Sequence, residues 1–323
     1  MYQVLGPVRQ QRIDAKQFAL SRARKHARLL IMLGNKLSAR AQAWKDAKRR
    51  GHAIEEFLCG AVSVEVARAN ELSEQCFGEE RGLPIRASAG GASAKWVPSI
   101  LGGTSPSKVD MTFEWDPSQY GEISVIRLSH KSSLDSQAYL IQPDRFFDGL
   151  VARGLVAPDE VRDSLRLFIC CKDHSSHIEE FLNGRPHLGK NHRRTGLPID
   201  QHQVRISGRT FRAYAPDQWR NMLLWFDKNR TEIARTVLST GLAANEEDYA
   251  THLWYFRSDG KPDEIFAVDR ILESVHSLET FVCDNNQNAD TTLRFPFGKL
   301  QMHLDQAQFR HSFKQIAGML NEN

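Results

Sequence analysis

Apolar and polar residues alternate along two neighbouring stretches of the chain, residues 109–115 and 123–131. The first reads VDMTFEW and the second reads ISVIRLSHK, with DPSQYGE between them. A period of two is that of a strand with one buried face, and a short Pro/Gly turn joins antiparallel strands. The pattern therefore predicts a hairpin, in which Asp110, Ser129 and Lys131 project on facing surfaces.

Apolar residues at helical spacing indicate several helices. They are predicted around residues 18–44, at 54–72, at 142–154 ending at Gly154, from Pro216 to Gly241, and over most of 246–256 and 263–282. Pro216 suits the first turn of a helix and Gly241 suits its end.

Three further stretches complete the prediction. The apolar run LRLFICC, residues 165–171, is interpreted as a buried third strand, and residues 203–214 as a second hairpin turning at Ser207 and Gly208. Residues 78–108 are rich in Gly, Ser, Ala and Pro, which predicts a long loop. The strands and helices together predict an α/β (α+β) fold with a mixed sheet flanked by helices.

The composition is that of a globular protein, with 41% hydrophobic residues, 25% charged residues and a mean hydropathy of −0.46. No apolar run is long enough to span a bilayer, and residues 1–14 lack the apolar stretch of a secretory signal. The five cysteines form no CxxC pair. Reduced thiols and a cytoplasmic location are therefore expected.

The first fifty residues are strongly basic, with thirteen Lys or Arg against Asp14 and Asp46, whereas the formal charge of the whole chain is only +4. A basic amphipathic helical region suits contact with a polyanion such as DNA or RNA. A solvated helical face is the other interpretation of the same pattern.

The hairpin carries a combination of side chains that a structural hairpin does not need. Asp110 and Lys131 would meet across the strands, with Ser129 on the same face. Such a pair can be a simple ion pair, which contributes little when exposed. As chemistry, the carboxylate would bind a divalent metal, and the lysine would orient or activate a water beside it.

This arrangement resembles the PD-(D/E)xK nuclease superfamily, and specifically type II restriction endonucleases. In that family an Asp on one core strand and a (D/E)xK tripeptide on the next hold Mg²⁺ against the scissile phosphate. Here Asp110 matches the Asp, and Ser129-His130-Lys131 stands at the tripeptide. The resemblance covers about residues 50 to 175 and implies a restriction-endonuclease-like fold, with Gln137 entering the next helix.

The chain departs from the family pattern at two positions. Val109 replaces the proline, and Ser129 replaces the acidic residue of the tripeptide. Some family members place that carboxylate on a neighbouring helix, in a Gly-x-x-apolar-Glu context that Gly51–Glu55 matches. The resemblance therefore implies Asp110 and Glu55 as metal ligands, with Glu65 and then Asp135 as substitutes for Glu55.

Other residues are predicted to contact DNA. They are Lys108, Arg127, Gln137, Lys190, Arg193 and Arg194. The tail residues Lys299, His303, Gln306, Gln308, Arg310 and His311 suit base or phosphate contact as well as a polar helix face. Cys171 and His174, with the histidines that follow, raise the question of zinc, although no standard zinc-finger spacing is present.

The resemblance implies a Mg²⁺-dependent, sequence-specific endonuclease acting on double-stranded DNA as a type II restriction enzyme. It also implies a homodimer and a cognate DNA methyltransferase. Residues 1–50 would form a basic helical segment, 51–215 the catalytic core, and 216–323 a recognition or dimerisation part, unless all form one domain. Another DNA-processing or repair nuclease of the same fold, or a non-catalytic nucleic-acid-binding protein, is the alternative.

Overall fold

The structure is a computed structural model, and most of the chain beyond residue 51 can be described. The described residues are 52–90, 96–121, 124–135, 137–169, 175–189, 205–256, 262–279, 291–303 and 306–321. The chain divides into two compact units, Met1–Ile54 and Glu55–Asn323. The predicted basic helix lies outside the described residues. Within the described part, no helix is long and apolar enough to cross a membrane.

Eleven strands occur in the described part of the chain. They are β1 (Arg86–Ala89), β2 (Trp96–Pro98), β3 (Thr104–Pro106), β4 (Met111–Glu114), β5 (Val125–Lys131), β6 (Gln137–Ile141), β7 (His252–Tyr255), β8 (Glu264–Ala267), β9 (Thr292–Phe295), β10 (Gly298–His303) and β11 (Gln306–His311).

Helices surround the strands. They are α1 (52–64), α2 (Val66–Phe77), α3 (Pro117–Tyr120), α4 (Pro143–Ala152), α5 (Asp159–Ile169), α6 (Ser175–Leu182), α7 (Gly208–Tyr214), α8 (Pro216–Lys228), α9 (Arg230–Arg235), α10 (Val268–Ser277) and α11 (Phe313–Asn321). A π-helical turn (Thr236–Thr240) continues α9, and Glu246–Asp248 form a 3-10 turn.

The central sheet has the strand order β1-β4-β5-β7-β8. The pair β5–β7 is parallel and the other pairs are antiparallel. The predicted hairpin is confirmed, because β4 pairs with β5 in a register that joins Thr112 to Arg127. Met111, Phe113 and Trp115 are buried as their alternation requires. The mixed sheet flanked by helices is also confirmed.

A second sheet has the order β6-β11-β10-β9 and is antiparallel throughout. One of its faces is mainly apolar, with the buried Leu300 and Phe309 at its centre. This face packs against the helices, as in the contact of Phe309 with Phe146 of α4, whose ring centroids lie 5.0 Å apart. The main hydrophobic core lies in this layer between the helices and the second sheet.

Two strand predictions are wrong. The run at 165–171 belongs to helix α5 up to Ile169, because consecutive apolar residues can all be buried where a helix packs on several neighbours. Within the predicted hairpin at 203–214, Gly208–Tyr214 form helix α7. Ser207 is its N-cap, and its hydroxyl accepts a hydrogen bond from the Thr210 amide. A Ser-Gly pair suits a helix start as well as a turn.

Other expectations need partial correction. Gln137 begins strand β6 and not a helix, because this segment pairs with β11 from the far end of the chain. The tail at 298–311 is a strand pair, and 246–282 contributes β7 and β8 besides helix α10. The predicted loop at 78–108 contains three short strands. The helices of 142–154 and 216–241 are confirmed, the second with an interruption at Asn229.

The central sheet takes strands from both sides of residue 215, since β7 and β8 follow it in sequence. The predicted division into a core at 51–215 and a recognition part at 216–323 stays a prediction.

Candidate active site

The open end of the β4–β5 hairpin borders a cleft of about 450 Å³. Strand β6 forms the opposite wall. Charged and amide side chains that line the cleft are Lys108, Asp110, Lys131, Arg145, Gln137, Gln142 and Gln306, and Ser129, Tyr139 and Trp96 join them. Asp110 is the one carboxylate among these lining residues, beside three cations.

Asp110 directly precedes strand β4, and both its backbone amide and its carboxylate form hydrogen bonds to strand β5. Its amide donates to the Leu128 carbonyl over 2.8 Å. Its Oδ2 atom accepts a hydrogen bond of 2.7 Å from the backbone amide of His130. The carboxylate thus takes the place that a backbone carbonyl of β4 would occupy, and this contact fixes its direction toward the cleft.

A chain of hydrogen bonds joins the three residues of the predicted site. The Lys131 ammonium donates to the Ser129 hydroxyl over 2.7 Å, and that hydroxyl donates to Asp110 Oδ2 over 3.3 Å. Ser129 is 2% exposed. The hydroxyl therefore bridges the lysine and the carboxylate at the position where the family pattern has an acid.

Lys108 is a second lysine in this cleft. Its Nζ atom donates to the Ala138 carbonyl of β6 over 2.6 Å and lies 4.1 Å from the centre of the Tyr139 ring. Gly241, with φ of +54°, leaves the space for its stem, because a Cβ there would lie 3.3 Å from Lys108 Cε. Lys108 therefore spans the cleft from the hairpin to strand β6.

The charges in the cleft shift one another's protonation. Burial raises the pKa of Asp110, Lys131 opposes this shift, and the charge of Glu55 adds to it. Burial lowers the pKa of Lys131, against the attraction of Asp110 and Glu55. Burial and the repulsion of Lys131 hold the pKa of Lys108 well below its ordinary value. A carboxyl group with a raised pKa beside two amines with lowered pKa values is typical of a functional site.

Glu55, the predicted second carboxylate, lies on helix α1 and is 7% exposed. Its Oε1 atom is 3.5 Å from Nδ1 of His130. His130 alternates with Ser129 and Lys131 along β5, so its ring projects from the other face of the strand. Glu55 thus lies on the side of the strand away from the cleft, and its negative charge contributes to the raised pKa of Asp110.

The substitutes for Glu55 lie elsewhere. Glu65 precedes helix α2, is mainly exposed, and pairs with Arg68 at 3.5 Å. Asp135 pairs with Lys299 at 3.3 Å and with Arg310 at 3.9 Å. No group of three or more His, Cys, Asp or Glu suited to a metal occurs among the residues that the structure describes.

The residues predicted to contact DNA fall into three sets. Lys108 and Gln137 line the cleft. Arg127 lies in the middle of β5, where its Nε donates to the Tyr249 carbonyl over 3.0 Å. Lys190, Arg193 and Arg194 lie outside the described residues, as do Cys171 and His174 of the zinc question.

Several residues of the cleft were not singled out from the sequence. Among them are Trp96, Arg145 and Gln142, and Trp96 is 63% exposed. An exposed tryptophan in a small hairpin gives a weak signal by itself. Gln306 was named as a tail residue suited to DNA contact, but its place in the cleft was not predicted, because only the pairing of β6 with β11 brings it here.

Comparison with known proteins leaves the family open. No protein-family model matches the chain, and no curated protein matches it significantly. Among solved structures, the chain is similar to the restriction endonuclease MspI in complex with its cognate DNA. The identity is 13%, the TM-score is 0.40, and the alignment covers 80% of this chain and 88% of that chain. At these values the likeness assigns neither a family nor an activity to this chain.

Removing the cation of Lys108 is expected to stabilise the fold. Because the folded protein lowers the pKa of Lys108, the unfolded chain binds more protons between that pKa and about 10.4, and wild-type stability falls as pH falls through this window. In Lys108→Met this contribution is absent, so the variant should gain stability on the order of 1 kcal/mol near neutral pH. Urea unfolding of both proteins between neutral pH and pH of about 10 measures it. A stability difference independent of pH would contradict the expectation.

Proposed function

We propose that this chain is a Mg²⁺-dependent endonuclease that hydrolyses phosphodiester bonds of double-stranded DNA at a short sequence, as type II restriction enzymes do. The observation that carries the proposal is the hydrogen-bonded chain Lys131–Ser129–Asp110 at the edge of an open cleft. An acid and an amine of perturbed pKa that line one cleft are groups that phosphodiester hydrolysis would use. The α/β fold with its two-strand site is the one that the sequence resemblance implies.

The residues of the cleft fit a magnesium ion. Mg²⁺ keeps several waters and is usually held by one or two carboxylates together with substrate phosphates. Asp110 supplies a fixed carboxylate in the cleft, since Oδ2 is anchored on the His130 amide. Gln137 could add an amide oxygen. A bound Mg²⁺ would neutralise charge that develops on the phosphate and acidify its bound water.

Side chains of the cleft would orient the attacking water, accept its proton and bind the phosphate. Lys131 would orient the attacking water through its ammonium hydrogens, or accept its proton when neutral, which the lowered pKa favours. Ser129 would hold that amine in place. Lys108 and Arg145 would bind phosphate oxygens on the two sides of the cleft. Together they would place the scissile bond in line with the water.

The finer parts of the proposal rest on the sequence resemblance. They are site specificity, a cytoplasmic restriction role with a cognate methyltransferase, and a homodimer that matches a palindromic site. Lys190, Arg193, Arg194 and Arg127 are proposed to contact DNA outside the cleft.

Incubation of the full chain with supercoiled plasmid DNA and Mg²⁺ tests the activity. Discrete linear fragments, absent when Mg²⁺ is chelated, are the expected result. Fragments without preferred ends would favour a DNA-processing nuclease of the same fold. Binding without any cutting would favour a non-catalytic nucleic-acid-binding protein and overturn the proposal.

Glu55→Gln tests whether Glu55 is the second metal carboxylate. If it shares the ion with Asp110, the variant should need at least about tenfold more Mg²⁺ for half-maximal cleavage, as expected for loss of a supporting ligand. Glu71→Gln is the matched control on an exposed position of helix α2. A variant with an unchanged Mg²⁺ requirement but an altered pH profile would instead make Glu55 an electrostatic partner of Asp110 and Lys131.

A further inference from the structure

The second sheet turns a polar face away from the core, and this face is unusual in its charge. Directly opposite residues in an antiparallel pair lie on one face, so the register places Arg294, Lys299 and Arg310 in one row across three strands. The next row holds Thr292, Gln301 and Gln308. We call these two rows the polar face.

The composition of the polar face argues against a simple solvated surface. The whole chain has 43 Lys or Arg against 39 Asp or Glu. Strands β9, β10 and β11 nevertheless contain three Lys or Arg and no acid. Like charges directly opposite one another destabilise a sheet. Asp135 compensates in part, with its Oδ2 atom 3.3 Å from Lys299 Nζ.

The two glutamines of the second row fix each other's side chains without a ligand. Gln301 donates a hydrogen bond of 2.7 Å to Gln308 Oε1, and the exposed fraction of Gln308 is 9%. Paired amides that are fixed in direction offer a defined set of donors and acceptors. Glutamine and arginine are residues that hydrogen-bond adenine and guanine edges in the major groove, and a pair of strands fits in that groove.

The polar face continues into the cleft. Gln137 of β6 is the register partner of Arg310, and it lines the cleft together with Gln306 of β11. A ligand that lies along the cation row, which is formed by Arg294, Lys299 and Arg310, therefore reaches the cleft at Gln137. A duplex is long enough to occupy both places at once.

We propose that the polar face is a DNA-reading surface, in which the row of Arg294, Lys299 and Arg310 binds phosphates and Gln301, whose amide is held by the buried Gln308, contacts base edges. The inference rests on the proposed function, since it names the surface that would give the nuclease its sequence preference. The positive charge of the cation row complements the phosphate backbone of a nucleic acid. The major groove of B-form DNA is wide enough for a pair of strands, whereas that of double-stranded RNA is too narrow, so the polar face suits B-form DNA.

Binding experiments on the full chain test the two rows separately. The protein carries Asp110→Asn to prevent cutting, and the probe is a pool of DNA duplexes with a randomised centre. Lys299→Ala should weaken binding to all duplexes alike and reduce the salt dependence by about one unit of slope. Gln301→Ala with Gln308→Ala should keep that slope and relax the preference at the selected positions by about tenfold.

Controls separate a local role from loss of fold. Lys228→Ala removes an exposed lysine from helix α8 and should leave binding unchanged. Lys299→Arg keeps the charge and should keep the salt dependence. Binding of the Lys299 and glutamine variants indistinguishable from that of Lys228→Ala would overturn the inference, as would tighter binding of a matched RNA duplex.

Failure of the inference and failure of the nuclease proposal are distinguishable. If the chain cuts plasmid DNA but the variants keep its site preference, the polar face is not the reading surface and the nuclease stands. If the chain never cuts but the variants change its duplex preference as expected, the reading surface stands and the nuclease proposal falls.

Discussion

Asp110→Asn is expected to leave the protein folded and to reduce Mg²⁺-dependent plasmid cleavage by at least about a thousandfold. The asparagine oxygen can still accept the hydrogen bond from the His130 amide, which is 2.7 Å in the native protein. What it cannot supply is the negative charge for Mg²⁺. Since the fold already raises the pKa of Asp110, a neutral side chain costs the folded state little.

Cleavage of plasmid at saturating Mg²⁺ and thermal unfolding together check this expectation. Asp217→Asn is the matched control, because its side chain is 79% exposed and pairs only with Arg220 among the contacts described. Cutting by Asp110→Asn at the native rate would remove Asp110 from the site. Loss of cutting together with loss of the folding transition would leave Asp110→Glu as the deciding variant, since it retains the charge at a shifted position.

Lys131→Met is expected to lower the cleavage rate by about a thousandfold, while DNA affinity falls little. Methionine keeps the length of the stem but loses the amine that donates to Ser129 over 2.7 Å. In the native protein the rate should rise with pH through the lowered pKa of Lys131, because deprotonation gives an amine that can accept the proton of the attacking water. In the variant that rise should be absent.

Single-turnover cleavage across pH, beside binding of the uncut duplex, separates these effects. Lys228→Met, an exposed lysine of helix α8, is the matched control. Ser129→Ala should behave as a partial version of Lys131→Met, because it removes the hydroxyl that positions the amine. A native pH profile in Lys131→Met would show that Lys131 forms a structural pair with Asp110.

The two-residue period of the hairpin predicted from sequence that Asp110, Ser129 and Lys131 lie on one face of the sheet. Once Asp110 and Ser129 were assigned to paired strands, their facing positions followed from alternation alone. Helix α5 shows the limit of this reasoning. Its consecutive buried residues Leu167, Phe168 and Ile169 look like a buried strand, and only the neighbours that cover them distinguish the two.

The opposite wall of the cleft could not have been predicted. It depends on β6 pairing with β11, and nothing local in residues 137–141 specifies a partner so far along the chain. The same reason explains the error at Gln137, which the family resemblance had placed at the start of a helix. Non-local pairing decided the outcome.

The parallel pairing of β5 with β7 has a consequence for synthesis of the protein. The strand that carries Lys131 is held on one side by Tyr255 and its neighbours, and the Thr251 hydroxyl binds the Arg127 amide across 124 positions of sequence. A nascent chain therefore lacks the second support of this strand until β7 has left the ribosome. Contacts of such long range also slow folding. The candidate site should thus be complete only after β7 has been synthesised and has paired with β5.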